Sequence, residues 1–354
     1  MFRSFARAAC VTAALATMAC GGSEPATDGK ESAPAAGLQI NGAGATFPYP
    51  IYSKWFDEYH KSHTQVQINY QSIGSGGGIR QVSNGTVFFG ATDGPMTDEQ
   101  LKAAPGAIRH FPTVLGADVP VYNLPGISAD LSFTGPLLAD IFLGKITKWN
   151  DAAIAKVNPG VTLPATDITV VHRSDGSGTT YIWVDYLSKV SPEWKEKVGV
   201  ATSVNWPVGV GGKGNEGVAG LVSQTPGSIG YVELIYALQN KIAFGPVQNA
   251  NGEFVKASTA SVTAAAAAAA ASMPADFRVS ITNAAGAGAY PVSSFTWLLL
   301  YEDAADKAQA RAMVDFMKWA LTDGQQFAAQ LGYAPLPDAV VTQELAALES
   351  IKVQ

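Results

Sequence analysis

The chain reads as an α/β protein of two lobes, joined by two strands that cross from one lobe to the other. Three observations predict this. From Leu38 onward, apolar segments of strand length alternate with segments of helical spacing, the pattern of a mostly parallel sheet. Two long apolar runs, Phe111 to Asn123 and Tyr290 to Tyr301, bracket the residues between them as crossing strands. With 354 residues, the chain is long enough for two cores.

The elements follow in order. Leu38 to Asn41 is a short strand. Pro50 to His60 places Ile51, Trp55, Phe56 and Tyr59 at helical spacing, a buried face. Val66 to Tyr70 alternates as a strand, Ile79 to Asn84 is a short helix, and Val87 to Gly90 is a buried strand running into Asp93. Beyond the first crossing, Leu137 to Trp149 is expected as a helix with Ile141, Phe142 and Ile146 inward. Ile168 to His172 is a strand, Thr180 to Val190 a helix and Ser228 to Val232 a buried strand. Lys307 to Leu321 is an amphipathic helix after the return crossing. Residues 38–123 and 292–354 thus form lobe 1, and 124–291 form lobe 2. Two crossings make a hinge, so closure of one lobe on the other is expected. The alanine run Ala264 to Ala271 reads as a surface helix of high propensity with no further role.

Residues 1–19 read as a signal peptide: Arg3 and Arg7 precede an apolar stretch, Ala8 to Ala19, too short to span a bilayer. The Cys20 that follows resembles the acylated first residue of a bacterial lipoprotein; release without acylation is the alternative. Residues 20–37 are rich in Gly, Ser, Pro, Ala and Glu without apolar period, a flexible tether from that lipid. Loss of residues 1–19 leaves 21 basic side chains (23 minus Arg3 and Arg7) against 29 acidic ones, a net charge of −8. Cys10 leaves with the signal, so the mature body has no disulfide. The acidic balance argues against nucleic acid as a partner and means that any anion must be held by local donors.

Such donors gather in three turns where a strand hands over to a helix: Gly42 to Phe47, Ile73 to Gly78 and Arg173 to Thr179. Each offers unpaired N–H groups at a helix start, a hydroxyl, and glycines that admit a ligand to the backbone. Together with Arg173 they suggest a pocket that strips water from a small oxyanion. Arg173 and Asp175 are two apart and, on extended backbone, point the same way, so the carboxylate can hold the guanidinium planar. A surface ion pair is the alternative, as an N-cap is for Ser177. Asp93 beside such a pocket makes electrostatic sense only if the anion carries a hydrogen. Hydrogen phosphate donates one, whereas sulfate would face an unpaired buried charge. Capping the helix that starts at Thr97 is the competing role for Asp93.

Gly212 to Gly217 matches G-x-G-x-x-G, but Trp206-Pro207 precedes it and Pro226-Gly227 interrupts the expected strand–helix–strand unit, so nucleotide binding is not expected. His60 and His63 lack partners for a metal site. Ser177 as a nucleophile would need His172, which lies on the opposite face of the strand from Arg173. No cofactor, metal or catalytic residue is expected.

Six motifs, in order, then carry a resemblance: Gly42 to Pro48, Ile73 to Gly78, Phe89 to Pro95, Leu143 to Trp149, Arg173 to Thr179 and Trp206 to Asn215. From about Leu38 to Pro337 the chain resembles the PstS-type phosphate-binding proteins, extracytoplasmic receptors of the phosphate-specific ABC transporter. The resemblance implies a type II periplasmic-binding-protein fold with phosphate enclosed between the lobes. It carries phosphate contacts onto Thr46, Phe47, Ser75, Asp93, Arg173, Ser177, Gly178 and Thr179, and gives Asp175 the task of orienting Arg173. It implies a monomer in the periplasm or on the cell surface, delivering inorganic phosphate to a membrane permease with its ATPase subunits. The rival readings are a secreted phosphatase-like enzyme and a receptor for another tetrahedral oxyanion.

Overall fold

Two parallel three-stranded groups joined through an antiparallel pair make up the main sheet. The structure, a computed structural model, describes residues 37–270 and 273–354. The expected signal peptide, Cys20 and the tether up to residue 36 lie outside them. The strands are β1 (Leu38–Gly44), β2 (Val66–Ser72), β3 (Phe89–Thr92), β4 (Ile108–Asn123), β5 (Thr169–Arg173), β6 (Val210–Gly212), β7 (Ser228–Glu233), the short β8 (Ala243–Phe244), β9 (Val247–Gln248) and β10 (Phe254–Val255), and β11 (Ser293–Tyr301). Their order is β2-β1-β3-β11-β4-β7-β5-β6, with β8 also on β4. β1 runs parallel to β2 and β3, and β5 parallel to β6 and β7, while β11 and β4 are antiparallel to their neighbours.

The helices are α1 (Tyr49–Ser62), α2 (Ser75–Ser83), α3 (Asp98–Ala103), α4 (Gly135–Phe142), α5 (Ala152–Val157), α6 (Gly178–Val190), α7 (Pro192–Lys197), α8 (Gly214–Gln224), α9 (Leu234–Gln239), α10 (Thr259–Ala270), α11 (Lys307–Leu321) and α12 (Asp338–Ala347). Helix starts carry their own signals. Thr97 and Gln100 form a reciprocal capping box on α3, and Ser177, Ser191 and Asp306 cap α6, α7 and α11 through their side chains.

β4 is the crossing strand. Ile108 to Ala117 pair with β11, and Asp118 to Asn123 pair with β7, so one buried 16-residue strand serves both groups. Its register against β11 shifts between Thr296 and Trp297, beside Pro112. A proline has no N–H for the ladder, and a bulge accommodates the gap.

Local differences from the sequence reading have local causes. The helix expected to reach Trp149 stops at Phe142, because Gly144 takes φ +75° and ends it. α2 begins at Ser75, within the turn itself, four residues before the expected Ile79. β3 lies two residues beyond the expected strand, and the return strand starts at Ser293 rather than Tyr290. The alanine helix is not idle: Val262, Ala265 and Ala266 are fully buried, and α10 packs on β4 and β11. Small side chains let a helix approach β4 and β11 closely. A strand does precede Gly212 to Gly217, since β6, α8 and β7 form a strand–helix–strand unit.

Candidate binding site

All six parallel strands send their carboxyl ends to one place, where open α/β sheets bind ligands. Thr46 and Phe47 follow β1, Ser75 follows β2, Asp93 follows β3, Arg173 ends β5, Asn215 follows β6 and Glu233 ends β7. Thr46, Ser75, Asp93, Arg173, Ser177 and Thr179 are each at most 3% exposed. The two halves of the sheet meet over them: the Gly76 N–H donates to the Gly176 carbonyl at 2.9 Å. A methyl group on Gly178 would overlap Asp93 Oδ2 and Ser75 Oγ, so only glycine lets the α6 N-terminus come this close.

Arg173 is fixed from one side. Its Nε donates to Asp175 Oδ1 at 2.8 Å and its Nη2 to Asp175 Oδ2 at 2.6 Å, a bidentate pair. The guanidinium is 1% exposed and the carboxylate 14%, so this is no surface ion pair. Burial works against both charges, yet each partner's hydrogen bonds and charge outweigh it. The Asp175 carboxyl is held below its usual range and the Arg173 guanidinium above its own. Asp175 Oδ1 also accepts the Gly214 N–H at 3.1 Å.

The hydroxyls are oriented by what they accept. Thr46 Oγ1 accepts the Asn215 N–H at 3.2 Å and Asn215 Nδ2 at 2.8 Å. Thr179 Oγ1 accepts Arg173 Nη1 at 3.2 Å and the same Asn215 amide at 3.0 Å. Ser177 Oγ accepts the Thr180 N–H at 2.9 Å, and Ser75 Oγ the Asp93 N–H at 3.1 Å. With their oxygens acting as acceptors, the hydroxyls of Thr46, Ser177 and Thr179 keep their own hydrogens to donate, while that of Ser75 is directed at Asp93 Oδ2. The N–H groups of Phe47, Gly178 and Thr179 have no acceptor among the described residues. The Thr46 and Phe47 carbonyls, which would repel an anion, are tied back by the hydroxyls of Tyr236 and Tyr333, each at 2.6 Å.

Against these donors stands one acceptor. Asp93 Oδ1 accepts the Thr296 hydroxyl at 2.7 Å, and Oδ2, beside Gly178, accepts the Ser75 hydroxyl at 3.4 Å. Burial raises its carboxyl to about 7, against the lowering effect of the Thr296 hydrogen bond, the Arg173 charge and Ser75. Asp93 caps no helix; Thr97 does that by itself. His172 stacks on Trp206 at 4.8 Å, away from Ser177, and no cluster of His, Cys, Asp and Glu suited to a metal occurs among the described residues.

Over 307 residues the chain is 53% identical to the phosphate-binding protein PstS of Xylella fastidiosa, covering 86% of this chain and 84% of that one. This chain belongs to the PstS family of phosphate-binding proteins. PstS of Pasteurella multocida is 52% identical over 303 residues, covering 85% and 87% of the two chains. Residues 28–323 match the PBP superfamily domain. Among solved structures, a high-affinity periplasmic phosphate-binding protein bound with phosphate superimposes with a TM-score of 0.71 at 22% identity, over 87% of this chain and 93% of that one. The fold is therefore the two-lobed periplasmic-binding-protein architecture.

Sequence reasoning passed over Asn215, Thr296, Tyr236 and Tyr333. Asn215 lies within the G-x-G-x-x-G match, for which nucleotide binding was not expected and no other role was given. Its surroundings show why this is no nucleotide loop: the N–H groups of Gly214 and Asn215 are taken by Asp175 and Thr46 of the protein itself. Thr296 had no local signal, being a hydroxyl in an apolar strand.

Proposed function

We propose that this member of the PstS family captures inorganic phosphate between its lobes and hands it to an ABC permease for import. The observation that carries the reading is the ratio of donors to acceptors. Three hydroxyls with hydrogens to give, three free N–H groups and a held guanidinium surround one carboxylate oxygen, Asp93 Oδ2, which the Ser75 hydroxyl also reaches. Such a site suits a tetrahedral anion that accepts many hydrogen bonds and donates one. Hydrogen phosphate does this; sulfate at neutral pH has no hydrogen to give. Water excluded from the closed cleft makes every such pairing count for more.

Thr46, Phe47, Ser75, Asp93, Arg173, Ser177, Gly178 and Thr179 are the proposed contacts, with Asp175 positioning Arg173. In this reading lobe 1 is 38–123 with 292–354 and lobe 2 is 124–291, and the receptor works as a monomer without cofactor. A periplasmic or surface location, held by lipid on Cys20, fits the leader and tether. No helix among the described residues is long and apolar enough to cross a membrane. Binding rather than catalysis is supported by the position of Ser177, which caps α6 with no histidine as its base.

Calorimetric titration with phosphate, arsenate and sulfate near pH 8, where Asp93 is mostly ionised, tests the reading. Phosphate and arsenate are expected to bind comparably, and sulfate at least about a hundredfold more weakly, the ~3 kcal/mol of an unpaired buried polar group. Equal sulfate binding would remove the role given to Asp93.

A further inference from the structure

Beside the proposed contacts lie two carboxyl groups that phosphate recognition does not use. Asp118 stands where β4 changes partner: Ala117 is in register with Ser293 of β11, and Asp118 with Glu233 of β7. Cross-strand partners project to one face of a sheet, so the two side chains share a face. Both residues are fully buried. Asp118 Oδ1, Asp118 Oδ2 and Glu233 Oε1 have no hydrogen-bond partner among the described residues, while Glu233 Oε2 accepts the Ile235 N–H at 2.8 Å.

The ionisable groups facing the pair do little to balance it. Asp118 feels the charges of Asp93, Glu233 and Arg173, with Tyr231 of β7 in reach of its own, and the Tyr290 hydroxyl donates to its backbone carbonyl at 2.9 Å. Glu233 feels the charge of Asp93, which raises it, and the Tyr333 hydroxyl, which lowers it, with Tyr236 in reach of its own charge and its Oε1 beside Gly116. Arg173 is the one cation in this set, and Asp175 already holds it.

We propose that Asp118 and Glu233 act together as a proton-binding pair whose neutral form is required for anion capture, so that phosphate binding draws protons onto them. The proposal rests on the phosphate reading. A multiply charged guest would enter a cleft whose buried cation is already paired and whose third carboxyl, Asp93, faces it. Two further carboxylates in the same dry region would oppose it, and the guest's own charge favours their protonation. Burial already raises both carboxyls well above their ordinary range, and Asp93 adds to this. The pair touches no ligand; it sets the charge of the field in which Asp93 and Arg173 work.

The test is calorimetric titration of the full chain with inorganic phosphate from about pH 6 to about pH 9, in buffers of different ionisation enthalpy, which counts protons taken up. It is run on wild type, Asp118→Asn, Glu233→Gln and the double variant. Wild type is expected to take up more protons than the double variant. Its affinity should fall more steeply with rising pH, by up to about tenfold per pH unit for each extra proton. The amides, neutral throughout, should bind phosphate with a flatter profile. Identical proton counts and pH profiles would overturn the proposal, because a merely structural pair would leave both unmoved. Infrared absorption of protonated carboxyl groups in wild type, with and without phosphate, reads the same event with no substitution. No gain on phosphate addition at any pH would overturn the proposal even if the variants fail to fold. Should wild type bind no phosphate at all, the receptor reading fails instead.

Discussion

Asp93→Asn offers a direct test of the charge arrangement in the cleft. The native carboxyl is fully buried and titrates near 7 rather than at its ordinary 3.8. Below about pH 4 the proton is bound in both folded and unfolded chains, and Asp93 contributes no pH dependence. Between about pH 4 and pH 7 the unfolded chain releases the proton while the folded one keeps it. The phosphate-free receptor therefore loses ~1.4 kcal/mol per pH unit, ~4 kcal/mol in all, and the loss levels off above pH 7. Asparagine keeps an oxygen for the Thr296 hydroxyl and does not titrate. The variant should thus gain on wild type from pH 4 upward, to a plateau of ~4 kcal/mol near pH 7. The Asp93 charge also raises Asp118 and Glu233, so its removal eases their ionisation too, and ~4 kcal/mol is the part that belongs to Asp93 itself. Urea unfolding of phosphate-free protein at several pH values, followed by tryptophan fluorescence, measures it. Parallel stability curves, or a gain that shrinks with rising pH, would refute the burial argument. The same variant, presenting an amide hydrogen where wild type presents an acceptor, should narrow the preference for phosphate over sulfate by about tenfold or more.

Asp175→Ala strands the Arg173 guanidinium and should cost ~3–5 kcal/mol in urea unfolding without phosphate. Saturating phosphate should recover most of it, because the ligand supplies the missing charge; an equal loss with and without phosphate contradicts this. Gly178→Ala puts a methyl group into Asp93 Oδ2 and Ser75 Oγ. Calorimetric affinity for phosphate should drop at least about a hundredfold and urea unfolding should show a loss of ~1–3 kcal/mol from overpacking; wild-type affinity would show that the halves need not approach so closely. Glu344 on α12 is fully buried with both oxygens unpartnered among the described residues, and burial raises its carboxyl. Glu344→Met should therefore stabilise the chain by ~1–3 kcal/mol at neutral pH, with less gain near pH 4, where the unfolded chain also keeps the proton. Urea unfolding that shows a loss would mean the carboxyl has a partner in solution.

Much of the site's chemistry was legible because it is local. The turns at Thr46, Ser75 and Ser177 combine a preceding apolar strand, glycine and a hydroxyl within a few residues, and Arg173 and Asp175 meet across one intervening residue. Helix ends were less legible where a single backbone angle decides, as at Gly144. Asn215 was passed over because nothing local in its glycine-rich loop marks it, and only its partners Thr46 and Thr179 reveal its part.

From its sequence alone the chain determines the alternation of strand and helix, the position of its donor-rich turns and the presence of a carboxylate among them. These depend on residues near one another along the backbone. Only the tertiary structure decides that Thr296, 203 positions from Asp93, holds one of its oxygens. It alone sets the two threonine hydroxyls through one asparagine and leaves Asp118 facing Glu233 where β4 changes partner. Those relations depend on the register of β11 and β7 against β4, which is set by how whole strands bury their faces together, and no short stretch of residues encodes it.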